Sequence, residues 1–189
     1  MSEAVVPHVL RPYLSSDRIS RRIEQLGQEL AQEYTGIEEQ TVALCVLKGG
    51  FMFAADLLRV MPLSIPIEFC NAKSYGDAME SSGEVSINLP PRELLAGKYI
   101  VVIEDIVDSG VTLKALVAKL HEMAVKRVEI CTLLSKPSRR KVSVQVRYVG
   151  FEVPDLFFVG YGLDYAELYR NLDYLAVVVP QKSEAIEEA

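Results

Sequence analysis

Four short runs constrain this chain more than anything else in it: TVALCVL (41–47), YIVVI (99–103), VEICTLL (128–134) and LAVVVP (175–180). A strand with one wet face alternates apolar and polar residues, because successive side chains point to opposite sides. Runs this continuously apolar and β-branched instead suit strands covered on both faces. Between them the spacing changes. Ile19, Ile23, Leu26 and Leu30 recur at helical intervals after Ser15, Ser16 and Asp17, which are good N-cap types, and predict a helix over 16–34. FMFAADLLRVM (51–61) and VTLKALVAKLHEM (111–123) predict two more. Further strands are expected at 65–72, 84–88, 144–150 and 156–162, with a polar, turn-rich loop over 72–84. Strands alternating with helices imply right-handed parallel crossovers. The expected fold is therefore α/β, an open, mostly parallel twisted sheet with helices on both faces.

Charge narrows the partners. The 189 residues suit one domain, and 26 acidic against 20 basic residues leave a net charge of −6. Generic binding to nucleic acid or to an anionic membrane needs a basic face, so neither partner is expected. No apolar run approaches the ~18 residues of a membrane span. Glu3, Pro7, Arg11 and Pro12 stand where a signal peptide needs its apolar stretch. The three cysteines, Cys45, Cys70 and Cys131, sit in strand-like runs without metal-ligand spacing, and read as core residues in a reducing cytoplasm.

In open α/β sheets, ligands bind beyond the carboxyl ends of the strands. The residues that follow the strands are Lys48-Gly49-Gly50, Lys73-Ser74-Tyr75, Glu104 to Thr112, and Ser135 to Lys141. The third group is the most telling. Glu104, Asp105 and Asp108 put three carboxylates in five residues at the tip of a core strand, and Ser109-Gly110-Val111-Thr112 follows at a helix start. A helix start offers unpaired N–H groups and the positive end of the dipole. Gly110 is expected to let a ligand approach the backbone, and Ser109 and Thr112 add hydroxyls. This suits a phosphate monoester. The plainer alternative is that Asp108 or Ser109 only caps the helix. Carboxylates do not bind phosphate, but they accept hydrogen bonds from sugar hydroxyls and attract Mg²⁺. Adjacent residues in extended backbone point apart, so Glu104 and Asp105 are expected on opposite sides. The combination describes a ribose 5-phosphate site, with Asp108 placed to face the anomeric carbon.

VVIEDIVDSGVTLKAL (101–116) resembles the phosphoribosyl-diphosphate signature of the type I phosphoribosyltransferases. LCVLKGGFMFAADLL (44–58), LLSKPSRR (133–140) and VGFEVPDLFFVGYGLDYAELYRNL (149–172) resemble the hypoxanthine-guanine branch, and AKSYGD (72–77) resembles its mobile loop. The resemblance implies one domain over 1–189, with a core at about 36–170, a small hood formed by the chain ends and a tail at 182–189. It implies transfer of 5-phosphoribosyl from phosphoribosyl diphosphate to a 6-oxopurine, with Mg²⁺ as cofactor and a homodimer or homotetramer as the assembly.

The same resemblance assigns residues. Asp108 is the catalytic base. Ser109, Gly110, Val111 and Thr112 hold the 5-phosphate, and Glu104 and Asp105 meet the ribose hydroxyls. Lys48 and Gly49 form the diphosphate loop, with Leu47–Lys48 as a candidate cis peptide, and Arg170 assists there. Lys136 donates to the purine 6-oxygen, Phe157 stacks on the base, and Phe158 contacts it through the backbone. Ser74 and Tyr75 belong to the mobile loop. Glu104, Asp105 and Asp164 are the acids implied for Mg²⁺. A regulator that senses phosphoribosyl diphosphate on the same fold is the alternative. It needs a basic face or an added DNA-binding segment, and the net charge and chain length favour neither. A dinucleotide-binding oxidoreductase lacks its G-x-G-x-x-G after the first strand.

Overall fold

The computed structural model describes residues 7–74 and 85–181. The larger of two sheets is built from β2 (Thr41–Leu47), β3 (Ile67–Ser74), β4 (Val85–Asn88), β5 (Tyr99–Val107), β6 (Arg127–Ser135) and β7 (Tyr148–Glu152). Its order is β4-β3-β2-β5-β6-β7. All neighbours are parallel except β4, which runs antiparallel to β3. The alternating strand–helix reading of the sequence is borne out.

Both faces of this sheet are covered, which explains the unbroken apolar runs of β2, β5 and β6; LAVVVP, read the same way, instead lies outside it in a smaller sheet and is buried only at Leu175 and Ala176. Ala43, Cys45, Val101 and Ile103 point into one core with Ile19, Ile23, Leu26 and Leu30 of α1 (Ser16–Tyr34) and Phe53, Ala54 and Leu57 of α2 (Phe51–Val60). Val42, Leu44, Val46, Ile100 and Val102 point into the other. There they meet Leu95 of the short α3 (Arg92–Leu95) and Leu113, Leu116 and Leu120 of α4 (Val111–Glu122). The cysteines are buried and unpaired. Burial pushes the Cys45 and Cys70 thiols up to about 12, which leaves them inert as nucleophiles.

A smaller antiparallel sheet joins the first and last described strands. Its order is β1 (His8–Leu14), β9 (Leu175–Pro180), β8 (Phe158–Val159). The sequence did not predict a strand at 8–14. Its residues are mostly exposed and it carries Pro12, so its pairing with β9 is what defines it. β5 also outruns its predicted end at Ile103. Ile106 and Val107 pair with Leu134 and Ser135 of β6, and this ladder carries the acids within the strand. The strand predicted at 144–150 lies at Tyr148–Glu152, and the one at 156–162 shrinks to two residues before a left-handed loop. The loop predicted at 72–84 is partly strand through Ser74, and the rest lies outside the described residues.

Candidate active site

A cavity of about 250 Å³ opens at the carboxyl ends of β2 and β5 and the start of α4. Leu47, Gly49, Glu104, Asp105, Asp108, Ser109, Gly110 and Thr112 all line it. Glu104 and Asp105 therefore do not part to opposite sides, as alternation along the strand implied. Their carboxyl groups meet within the strand, which runs on to Val107. Asp105 N–H donates to Glu104 Oε1 at 3.3 Å, and Ile106 N–H donates to Asp105 Oδ1 at 2.8 Å. Glu104 is buried. Burial first, and the neighbouring Asp105 charge second, raise its carboxyl well above the usual range. Two acids held this close form a strong acceptor pair for hydroxyls or for a cation. Gly49 has to be glycine for this geometry, since a Cβ there would overlap the Asp105 carboxylate.

The phosphate-loop candidate follows. Gly110 caps α4 at φ 81°, in the left-handed region that glycine occupies without cost. The space its missing side chain leaves is filled by Val144 Cγ1, 2.9 Å from an added Cβ, and by the Val142 carbonyl. On its Cβ side Gly110 is thus packed against the 142–144 segment, while the residue itself lines the cavity. Ser109 Oγ accepts from Val111 N–H at 3.4 Å, and its carbonyl accepts from Lys141 N–H at 3.0 Å. Arg140 pins the whole turn. Its guanidinium donates to the Val107 and Asp108 carbonyls, and to Ser135 Oγ at 2.9 Å. Burial lowers the pKa of this arginine.

From Asp108 a chain of charges leads toward the smaller sheet. Arg139 Nε lies 3.2 Å from Asp108 Oδ1 and 3.6 Å from Asp155 Oδ1. Asp155 Oδ1 lies 3.7 Å from Lys136 Nζ. Lys136 is buried, with its ammonium 5.8 Å from the centre of the Phe158 ring. Phe158 is itself buried in β8, whereas Phe157 is 53 % exposed and meets Tyr165 edge-on at 5.5 Å. The exposed Phe157 ring offers a surface on which a planar base can lie. Sequence reasoning assigned no role to Arg139, Arg140 or Asp155. The paired arginines just after a core strand were the available signal.

On the other side of the cavity, the Leu47–Lys48 peptide is cis. Lys48 Nζ donates to Glu167 Oε2 at 3.0 Å. Arg170 donates to the Gly162 carbonyl at 2.8 Å, and lies 2.8 Å from Asp164 and 3.2 Å from Glu167. Asp164 Oδ2 also accepts from Glu167 N–H at 2.8 Å, so both Asp164 oxygens are engaged within the loop. Tyr161 O–H donates to Asp56 and ties this loop to α2. Glu167 and Tyr161 carried no assignment from the sequence. Ser74 ends β3, and Tyr75 lies outside the described residues.

The family model for the phosphoribosyl transferase domain matches residues 15–166. This chain belongs to the phosphoribosyl transferase family. Among curated members, the hypoxanthine-guanine phosphoribosyltransferase of Bacillus subtilis is 44 % identical over 167 residues, covering 88 % of this chain and 92 % of that protein. The hypoxanthine phosphoribosyltransferase of Escherichia coli K12 is 40 % identical, covering 91 % and 97 %. Among solved phosphoribosyltransferases, the hypoxanthine enzyme of Staphylococcus aureus superposes with a TM-score of 0.83 at 40 % identity, covering 90 % of this chain and 91 % of that one.

Proposed function

We infer that this phosphoribosyltransferase is a purine-salvage enzyme. It moves 5-phosphoribosyl from phosphoribosyl diphosphate to N9 of hypoxanthine or guanine, giving IMP or GMP and diphosphate. One observation carries the reading: the Ser109–Thr112 turn and the acid pair Glu104–Asp105 share a cavity whose Asp108 is linked through Arg139 and Asp155 to the buried Lys136.

Each residue then has a task. Ser109, Thr112 and the α4 start hold the 5-phosphate. Glu104 and Asp105 accept hydrogen bonds from the ribose hydroxyls. Lys136 has donors only, so it selects a 6-oxo over a 6-amino purine. Phe157 stacks on the base. As N9 bonds to the anomeric carbon, the bond to diphosphate breaks and Asp108 accepts the proton the purine ring releases. Lys48 and Arg170 meet the departing diphosphate.

Mg²⁺ fits the acids present. Among the described residues no cluster of three or more His, Cys, Asp or Glu is placed to hold a metal. Mg²⁺ commonly takes one or two carboxylates and completes its shell with substrate oxygens and water. Glu104 and Asp105 are such a pair, and a cation would relieve the repulsion that raises Glu104. Bound Mg²⁺ would supply charge neutralisation for the diphosphate, with Asp164 as the further acid. The protein is read as cytoplasmic and as a homodimer or homotetramer. No helix of the described residues is long and apolar enough to cross a membrane.

Steady-state kinetics with hypoxanthine, guanine, xanthine and adenine, each with phosphoribosyl diphosphate and Mg²⁺, test the reading. Turnover of hypoxanthine or guanine that stops in excess chelator is expected. A preference for adenine, or full activity in chelator, would overturn it.

A further inference from the structure

Glu167 occupies an unusual place. A single oxygen of its carboxylate, Oε2, bridges Lys48 Nζ at 3.0 Å and Arg170 at 3.2 Å. The two cations come from loops far apart in the chain, Lys48 standing 119 residues before Glu167, and they are the pair read above as the diphosphate contacts. One anionic oxygen shared by an ammonium and a guanidinium is the arrangement a diphosphate oxygen would itself require. The backbone is shaped to hold the acid there. Glu167 has φ 66° and Ala166 φ 51°, both in the left-handed region that side chains disfavour. The Glu167 N–H is anchored to Asp164 Oδ2 at 2.8 Å. The contact is not a buried strut. Lys48 and Glu167 side chains are 59 % and 65 % exposed, so the pair can open into water at little cost.

We propose that Glu167 is an internal counter-ion that competes with diphosphate for Lys48 and Arg170. It leaves both cations when diphosphate or phosphoribosyl diphosphate enters, and returns to help expel the product. The inference rests on the reading of Lys48 and Arg170 as diphosphate contacts. Its consequence runs against the usual direction of a mutation, because removing the acid strengthens binding. The acid holds affinity for the diphosphate group below what the two cations alone would give, and so speeds release of the leaving product. In many enzymes product release rather than chemistry sets kcat.

Calorimetric titration of Mg²⁺-diphosphate and, separately, of IMP into the intact protein tests this. Glu167→Gln keeps the shape and removes the charge. It is expected to bind diphosphate about fivefold tighter, the scale of one or two exposed ion pairs, with IMP affinity unchanged. Glu167→Gly suits the left-handed backbone and should shift binding the same way without loss of Tm. Diphosphate affinity equal to or weaker than wild type in both variants, with Lys48→Ala still weakening it, overturns the counter-ion role alone. Wild-type diphosphate affinity in both Lys48→Ala and Arg170→Lys overturns the underlying reading instead.

Discussion

Replacing Gly162 by alanine should damage the site without touching any charged group. Gly162 has φ 97°, and its Cα faces the Gly49 carbonyl so closely that an added Cβ would overlap that oxygen. The loop that carries Asp164, Glu167 and Arg170 is pressed there against the loop that carries Lys48. Two costs follow, and they separate. The first is local: an L-residue forced into left-handed backbone costs about 1–2 kcal/mol. At this chain length each kcal/mol lowers Tm by about 2–4 °C. The second is positional. Restoring an ordinary contact moves the Gly49 carbonyl by roughly 1 Å, and misplacement on that scale costs about 100-fold in rate. Gly97→Ala is the control, because Gly97 has φ 71° but nothing within 4 Å of an added Cβ. Gly97→Ala should lose a few degrees by calorimetry, and Gly162→Ala, which must also displace a backbone carbonyl, should lose more. Only Gly162→Ala should lose kcat/KM for phosphoribosyl diphosphate, by about 100-fold. Equal kinetics in the two folded variants would refute the claim that the close contact between the loops sets the diphosphate geometry.

Three other outcomes are expected. Lys136→Gln should weaken hypoxanthine use by about 1.5–3 kcal/mol, the worth of a hydrogen bond to a charged donor, and leave phosphoribosyl diphosphate binding intact. Unchanged kcat/KM for hypoxanthine would remove Lys136 from the base site. Asp108→Asn retains a good cap but not a base, so single-turnover rates should fall about 10²- to 10⁴-fold at near-normal Tm. A wild-type rate would leave Asp108 as a cap only. Glu104 gives a pH signature: burial, and then the Asp105 charge, hold its folded carboxyl well above the usual carboxylate range, so ionising it costs the folded state more than the unfolded one. That penalty is absent below about 4.5 and grows as pH rises toward the folded value. Glu104→Gln should therefore raise the Tm of the ligand-free protein at neutral pH, with the gain fading toward acid; a constant Tm difference across pH would refute it.

The central strands were legible because burial on both faces leaves a plain mark, an apolar run with no alternation. α1 was legible from Ile19, Ile23, Leu26 and Leu30, which all reach the core. β5 was cut short at Ile103 because Glu104 and Asp105 look like the end of a strand, whereas the ladder to β6 runs on beneath them. β1 was missed because its exposed, proline-bearing stretch takes its shape from β9, far along the chain. The site shows the same division. The cavity-lining residues from Glu104 to Thr112 are contiguous, so they stood out in the sequence. The contacts that tie Asp108 to Arg139, or Lys48 to Glu167, exist only once distant loops meet, and no local spacing encodes them.

The small sheet imposes an order of assembly on the growing chain. The cavity is lined by residues from Val46 to Leu113, and Arg140 and Lys141, just past β6, fasten its turn. The segment that carries Phe157 and Phe158 cannot be fixed so early. Phe158 is held by pairing to Val177, and the Phe157 carbonyl accepts from Val178 N–H at 2.9 Å. Both partners lie in β9, which in turn pairs with β1. β1 therefore lacks its partner strand until β9 has been synthesised. An interrupted translation product ending before Leu175 would carry the cavity between β5 and α4 without the strand that holds Phe157 and Phe158.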